Sequence, residues 1–473
     1  MASNRWSCCA WWCSEEYSTV KLLFFMVPLI LLSAFASVKS PTVCRWGFVA
    51  KCSVSSSTSS TPLLSSQTLH QHNEIEVLNV SKLWFNSALM NESDEPHQRQ
   101  MQKRKCSILD RTEAVLAQAR AAIREARNGN QTQDSDYVPT GPMYWNAKAF
   151  HRSYLEMEKQ FKVFVYEEGD PPVFHNGPFK SIYSMEGNFI HAIELNRFRT
   201  RDPEKAHVFF LPLSVERESR NFVPINKTVT DYVNVIAAKY PYWNRSLGAD
   251  HFMLACYHWG PETSFSLPYL HKNSIRVLCN GNTSEGFEGA KDVSFPKINL
   301  QSGLVGGASA RKRSILAFYA GGVDGPIRAV IVENWEKKEE DIEVHKYLPE
   351  GVSYYGMMRK SKFCLCPSGY EVEAIYTGCV PVIISDHYVP PFSDVFNWKA
   401  FSVQLSVKDI PNLKDILISI SPTQYIRMQM RVTQIRRHFQ LHSLPKRFDV
   451  FHMILHSVWL RRLNFTLQDH LSL

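Results

Sequence analysis

From Tyr144 onward the chain alternates short, wholly apolar runs with helix-forming stretches, and it does so twice. FKVFVY (161–166), AHVFFLPL (206–213), Asp250 to Ala255 and Ile275 to Leu278 read as strands, with a helix over Asn226 to Lys239. A second series opens at Arg313. SILAFYA is a strand, Gly321-Gly322 a turn, and Pro326 to Trp335 a helix whose proline sits in the first turn, where its missing N–H is not needed. KFCLC (362–366), a short helix over Glu371 to Thr377 and VPVIIS (380–385) complete the series. Strands apolar on both faces belong to parallel sheets covered by helices on each side. The pattern therefore predicts an α/β chain with two Rossmann-like domains facing a cleft, over residues 144–310 and 311–422. The tail, 423–473, reads as helices, with Phe448, Phe451, Leu455 and Val458 expected to pack back on the core.

The N-terminal part is built differently. Leu22 to Val38 carries no charge and lies between Lys21 and Lys39, just long enough to span a membrane of ~30 Å hydrocarbon thickness. It reads as a signal-anchor helix, with residues 1–21 as a cytosolic tail and everything beyond in the lumen. Ala34-Phe35-Ala36 leaves cleavage of a signal peptide as the alternative. Residues 39–143 read as a stem. Ser53 to Ser66 is nearly all Ser and Thr and lacks the apolar content to fold. A helix over 107–128 follows, with Ile108, Val115, Ala119 and Ile123 as its apolar stripe. Lumenal exposure agrees with N-x-S/T sequons at Asn79, Asn91, Asn130, Asn226, Asn244, Asn282 and Asn464. It also permits disulfides among Cys256, Cys279, Cys364, Cys366 and Cys379, an odd set that leaves at least one thiol free.

Charge narrows the function. The net charge of +8 is concentrated near the C-terminus, where Arg427 to Arg462 holds eight basic residues against Asp449 alone. No nucleic-acid-binding module accompanies it, so a nucleic-acid partner is not expected. No cysteine pair has zinc-site spacing, and no metal is expected. In parallel α/β domains ligands bind beyond the carboxyl ends of the strands, where helix N-termini offer N–H groups to anions. Two loops have that form. One is Ala320 to Gly325, followed by Arg328. The other is Pro367 to Tyr370, followed by Glu371 and Glu373.

Several long stretches, among them GPFKSIYSMEGNFIH (177–191), AHVFFLPLS (206–214), GADHFML (248–254), FYAGGVDGPIR (318–328) and SKFCLCPSGYEV (361–372), together resemble plant exostosin-like glycosyltransferases. So does EAIYTGCVPVIISDHYVPPFSDVFNW (373–398), and the likeness runs from about Ile108 to Asn464. It implies a single-pass type II protein of the Golgi membrane with a GT-B fold. Such an enzyme transfers a sugar from a nucleotide sugar, here expected to be a UDP-sugar, to a cell-wall polysaccharide or glycoprotein glycan. It inverts the anomeric centre and needs no metal or other cofactor. Partners expected beyond donor, acceptor and membrane are other Golgi glycosyltransferases.

Matched residue by residue, the likeness makes Ser368 and Gly369 a diphosphate loop and Glu373 the ribose-binding acid, while their place between strand and helix makes Gly321 and Gly322 a second phosphate loop and Arg328 a candidate phosphate cation. Asp250, His251 and His191 are candidates for activating the acceptor hydroxyl, with Glu186 near them. Two departures stand out. Family members read G-Y-E-V-A-S-P-R-V-V-E-A-I where this chain runs Gly369-Tyr370-Glu371-Val372-Glu373-Ala374-Ile375, so about six residues, an Arg among them, are missing. Relatives carry C-H-D-W where this chain has Cys256-Tyr257-His258-Trp259. The first departure opens a second reading, a catalytically impaired isoform or Golgi-lumen partner of active transferases. Cleavage near Ala36 would open a third, a secreted glycan-binding protein.

Overall fold

A computed structural model describes residues 95–169, 177–215, 222–279, 281–299, 305–367 and 369–467, with side chains from 108 onward. The expected membrane helix 22–38, the Ser/Thr-rich linker and Asn79 and Asn91 lie outside the described residues. Among the described residues no helix is long and apolar enough to cross a membrane.

The chain forms two wholly parallel sheets. The first contains β1 (Val163–Val165), β2 (Arg199–Thr200), β3 (Val208–Leu211), β4 (His251–Ala255), β5 (Ile275–Leu278) and β6 (Val293–Ser294), in the order β2-β1-β3-β4-β5-β6. The second contains β7 (Ile315–Ala320), β8 (Ile342–His345), β9 (Ser361–Pro367), β10 (Val380–Ile384) and β11 (Val403–Leu405), in the order β11-β10-β9-β7-β8. Every pairing in both sheets is parallel. The α/β class read from the apolar runs is the class observed. The short strands β2, β6, β8 and β11 escaped the reading. They stand at or next to sheet edges, and a run of two to four residues carries no periodic signal.

Helices supply the crossovers that parallel strands require. Two, α1 (Glu95–Ala126) and α2 (Ala147–Gln160), precede the first sheet. Between its strands come α3 (Met185–Glu194), α4 (Phe222–Lys239), α5 (Pro241–Ser246), α6 (Gly260–Phe265) and α7 (Pro268–Lys272). The second sheet is crossed by α8 (Pro326–Trp335), α9 (Tyr354–Lys360) and α10 (Glu371–Thr377), and followed by α11 (Leu413–Ser419), α12 (Pro422–Ile435) and α13 (Val450–Arg462). The last of these runs back against α2, β5 and β6. Phe448, Phe451, Leu455 and Val458 are all buried there, and the Phe451 ring lies 5.3 Å from that of Phe189.

Two expectations are corrected. The stripe of the stem helix is corrected in part: Ala119 is buried and Ile123 packs on the core as expected, but Leu109 and Leu116 are buried in place of Ile108 and Val115, and Val115 is 41% exposed. The reason is docking. Glu113, on the same face, pairs with the buried Arg462, and Arg120 donates to the Leu463 carbonyl at 3.2 Å. This helix is therefore part of the folded body along its described side chains. The basic run Arg427 to Arg462, a charge run that sequence alone would place on a solvated helix face, turns inward in part. Arg461 pairs with Asp394 at 2.8 Å and donates to the Asp292 carbonyl, while Arg447 grips Asp134 through two bonds of 2.9 Å. That contact holds the Asp134 carboxyl far below the usual range.

Candidate active site

The carboxyl ends of β7 and β9, adjacent strands of the second sheet, bring the predicted donor residues together. After β7, the Gly321 N–H donates to the His345 carbonyl at 3.1 Å, and the Tyr319 hydroxyl donates to the Gly322 carbonyl at 3.2 Å. The glycine loop is thus held from below and leads straight into α8. Arg328, half-buried on that helix, places its guanidinium 5.5 Å from the centre of the Tyr370 ring. Ser368 lies outside the described residues. Gly369 is buried at φ +132°, a conformation that excludes other residues, and Tyr370 follows at φ 69°. Two successive residues in positive φ turn the chain at once into α10. A short connection requires such a turn.

Glu371 and Glu373 are 2% and 4% exposed. Glu371 accepts a 2.8 Å bond from the Tyr388 hydroxyl on one oxygen, while its other oxygen and Oε2 of Glu373 have no partner among the described residues. Burial, reinforced by the neighbouring Glu371, pushes Glu373 up to about 7, and burial raises Glu371 as well. The nearby cation comes from the other half of the chain. Lys297, just beyond β6, is lowered by burial and drawn back up by Glu371. Two buried acids with open lone pairs next to two cations form a site able to take hydroxyl donors and an anion together.

The first sheet faces this site. The Thr283 N–H donates to the His387 carbonyl at 3.0 Å, and the Val389 N–H donates to that of Gly281 at 2.7 Å. These bonds tie the loop after β5 to the loop after β10. Beside them opens a cavity of about 620 Å³, lined by His258, Trp259, Glu262, Asn282, Glu285 and Tyr388. Tyr388 connects the two places, since it lines the cavity and bonds Glu371. His258 is exposed, its ring 4.1 Å from that of Tyr257.

The three catalytic candidates do not reach this cleft. Asp250 and His251 stand at the amino end of β4, opposite the ligand-binding edge. Both are buried under α4 and α5, where Asp250 pairs with Arg245 at 2.9 Å and His251 bonds the Tyr166 hydroxyl at 2.9 Å. They bridge the sheet to its covering helices. His191 is exposed in the last turn of α3, its ring 6.2 Å from that of Phe179. Glu186, in the first turn, is buried and accepts from the Cys256 N–H at 2.7 Å and the Ser214 hydroxyl at 3.0 Å, clamping the ends of β3 and β4. Disulfides join Cys256 to Cys279 and Cys364 to Cys379, and Cys366 is a buried free thiol. Sequence reasoning missed Lys297 and Tyr388 because each reaches the site from a position with no local motif, whereas Glu371 was named beside its loop. Only a lysine directly after the strand-like VSFP (293–296) hinted at the first.

With this geometry in view, the chain can be set beside known proteins. The exostosin GT47 domain matches residues 157–420. A probable glycosyltransferase of Arabidopsis thaliana is 53% identical over 96% of this chain and 96% of its own length. That alignment has 505 positions, more than the 473 residues here, so parts of the relative have no counterpart in this chain. More distantly, a probable beta-1,4-xylosyltransferase of Arabidopsis thaliana is 29% identical over 63% of this chain and 81% of its own. A probable glucuronosyltransferase of Oryza sativa subsp. japonica is 28% identical over 63% and 80%. A match over more than half the chain, together with a relative aligned nearly end to end, makes this protein a member of the exostosin GT47 family of glycosyltransferases.

Proposed function

We propose that the chain is a GT-B transferase that moves a sugar from a UDP-sugar to a hydroxyl of a cell-wall polysaccharide or glycoprotein glycan, with inversion and without a metal. The carrying observation is the pair of buried, unpartnered carboxylate oxygens at the end of β9, set between Lys297 and the Arg328 side of the glycine loop. Ribose hydroxyls donate to Glu373 and Glu371. The diphosphate lies along Gly321, Gly322, Ser368 and Gly369, its charge offset by Arg328 and Lys297. The acceptor enters the cavity opposite, where His258 takes the hydroxyl proton as that oxygen bonds to the anomeric carbon. The bond to the β-phosphate oxygen breaks, and the nucleoside diphosphate leaves with both electrons. Two disulfides and exposed sequons support a lumenal site, in keeping with a type II Golgi membrane protein held by residues 22–38 and working beside other Golgi transferases.

One observation favours the second reading, an impaired form. The two positive-φ residues lead into α10 with no Lys or Arg between Phe363 and Asp386, so the buried acids depend on Lys297 and Arg328 from other elements. Sugar transfer by the full-length protein across a panel of nucleotide sugars tests the first reading. His258→Ala should lower transfer on the order of 10²-fold or more. Asp250→Asn should reduce stability and leave UDP affinity alone. Loss of UDP binding on Asp250→Asn at a temperature where the variant stays folded would contradict this placement of the site.

A further inference from the structure

A second cavity, of about 380 Å³, opens where the stem helix meets the body, with walls from α1, α2, α13 and the loop before Val395. Its size falls within the range of small-ligand sites. Its lining is mixed, with Ile123, Phe150 and Leu460 beside Ser153, His456 and Asp394. His456, 1% exposed, bonds Ser153 through Nε2 at 3.0 Å, while its Nδ1 has no partner among the described residues. Asp394 spends one oxygen on Arg461 at 2.8 Å, and its other oxygen is buried and unpartnered. Each orphan is costly to leave unbonded.

The mouth has a different chemistry. Trp145 is 61% exposed, yet it is fixed. Its indole N–H donates to the Ser393 carbonyl at 2.9 Å, and its backbone N–H to that of Val395 at 3.0 Å. A flat, immobilised aromatic face offers contact area at little cost in entropy. Arg127, at the end of the stem helix, lines the same cavity, is exposed, and makes no ion pair among the described residues.

An aromatic wall, two lining residues that each keep a polar atom without a partner among the described residues, and a cation at the rim are elements able to recognise a sugar ring bearing a carboxylate. We propose that this cavity binds a uronate residue of a glycan chain, apart from the reaction cleft. The ring's C–H face lies on Trp145, its hydroxyls bond Asp394 and His456, and its carboxylate meets Arg127. The Asp394 charge does not repel the ligand, because Arg461 already neutralises it. Such a site keeps a polymer on the enzyme whether or not the cleft transfers sugar to it.

The test measures binding of trigalacturonate and of neutral cellotriose to the full-length protein in detergent. Trigalacturonate should bind more tightly than cellotriose, and saturating UDP should not displace it. Trp145→Ala should weaken both by about tenfold. Arg127→Glu should weaken only trigalacturonate, again by about tenfold. Both residues are solvent-exposed, so these variants should fold. Unchanged binding in Trp145→Ala, equal affinity for the two saccharides, or displacement by UDP would each overturn the proposal.

Discussion

Glu373→Gln should make the protein more stable at neutral pH, although it removes a residue of the donor site. The carboxyl is 4% exposed, has an oxygen without a partner, and sits beside a second buried acid. Its pKa rises from 4.5 to about 7 on folding. A raised pKa in an acid means that the folded state prefers the proton. Below pH 4.5 the group is protonated in both states, and its ionisation costs nothing. As the pH climbs toward 7 the unfolded chain ionises while the folded one resists, and the cost grows to a plateau. At about 1.4 kcal/mol per pH unit the plateau is about 3 kcal/mol. Because Glu371 titrates with it, the gain belongs to the pair rather than to one residue. Glutamine keeps the shape and removes the charge, so most of that cost should be recovered above pH 7 and none at pH 4. The assay is thermal unfolding of full-length parent and variant from pH 4 to 8. A variant whose midpoint rises only toward neutral pH supports the reasoning. Equal shifts at every pH, or destabilisation at pH 8, would refute it.

Other consequences can be measured on the same material. Glu113→Gln leaves the Arg462 guanidinium, 1% exposed, without its carboxylate and should cost about 3–5 kcal/mol; an unchanged unfolding midpoint would show that the stem helix is not anchored there. Glycan mapping should find high occupancy at Asn130, Asn244 and Asn464, which are exposed, and low occupancy at Asn282. The Asn282 side chain caps the turn of Thr283 to Glu285 and bonds Glu285 at 3.0 Å, and full occupancy there would require that turn to open.

The parts of the fold that could be read from the residues are those with long, self-consistent signals. AHVFFLPL and VPVIIS are apolar on both faces and became central strands, and Pro326 marked the first turn of α8. Edge strands such as Ile342–His345 and Val403–Leu405 were hidden because half of their side chains meet water and their runs are too short for a period. The loops proposed to hold the donor were visible as small residues between strand and helix. The catalytic candidates were not, for a specific reason. Asp250 and His251 stand at the start of β4, whereas ligands of parallel α/β domains bind beyond the carboxyl ends of the strands. Lys297 and Tyr388 illustrate the complementary limit, since Lys297 meets Glu371 from the other half of the chain and Tyr388 from the loop after the next strand. The stem helix displays the same logic. Its stripe was read correctly at Ala119 and Ile123 but one residue off at Ile108 and Val115, where a buried acid, Glu113, shares the docked face with Leu109 and Leu116.

The shortened donor loop gives the most direct test. A nucleoside diphosphate brings at least two negative charges into a partly desolvated site, and each charge-assisted contact contributes roughly 1.5–3 kcal/mol. Losing one arginine contact therefore weakens donor binding by about tenfold to a hundredfold. The measurement compares UDP-sugar binding and sugar transfer for the chain as it stands with those of a variant carrying Ala-Ser-Pro-Arg-Val-Val inserted between Val372 and Glu373. Weak binding and little transfer in the first, with a gain of about tenfold to a hundredfold in binding for the second, is the predicted result. Equally strong transfer by both would show that Arg328 and Lys297 suffice. No nucleotide binding by either would contradict the donor site at the ends of β7 and β9.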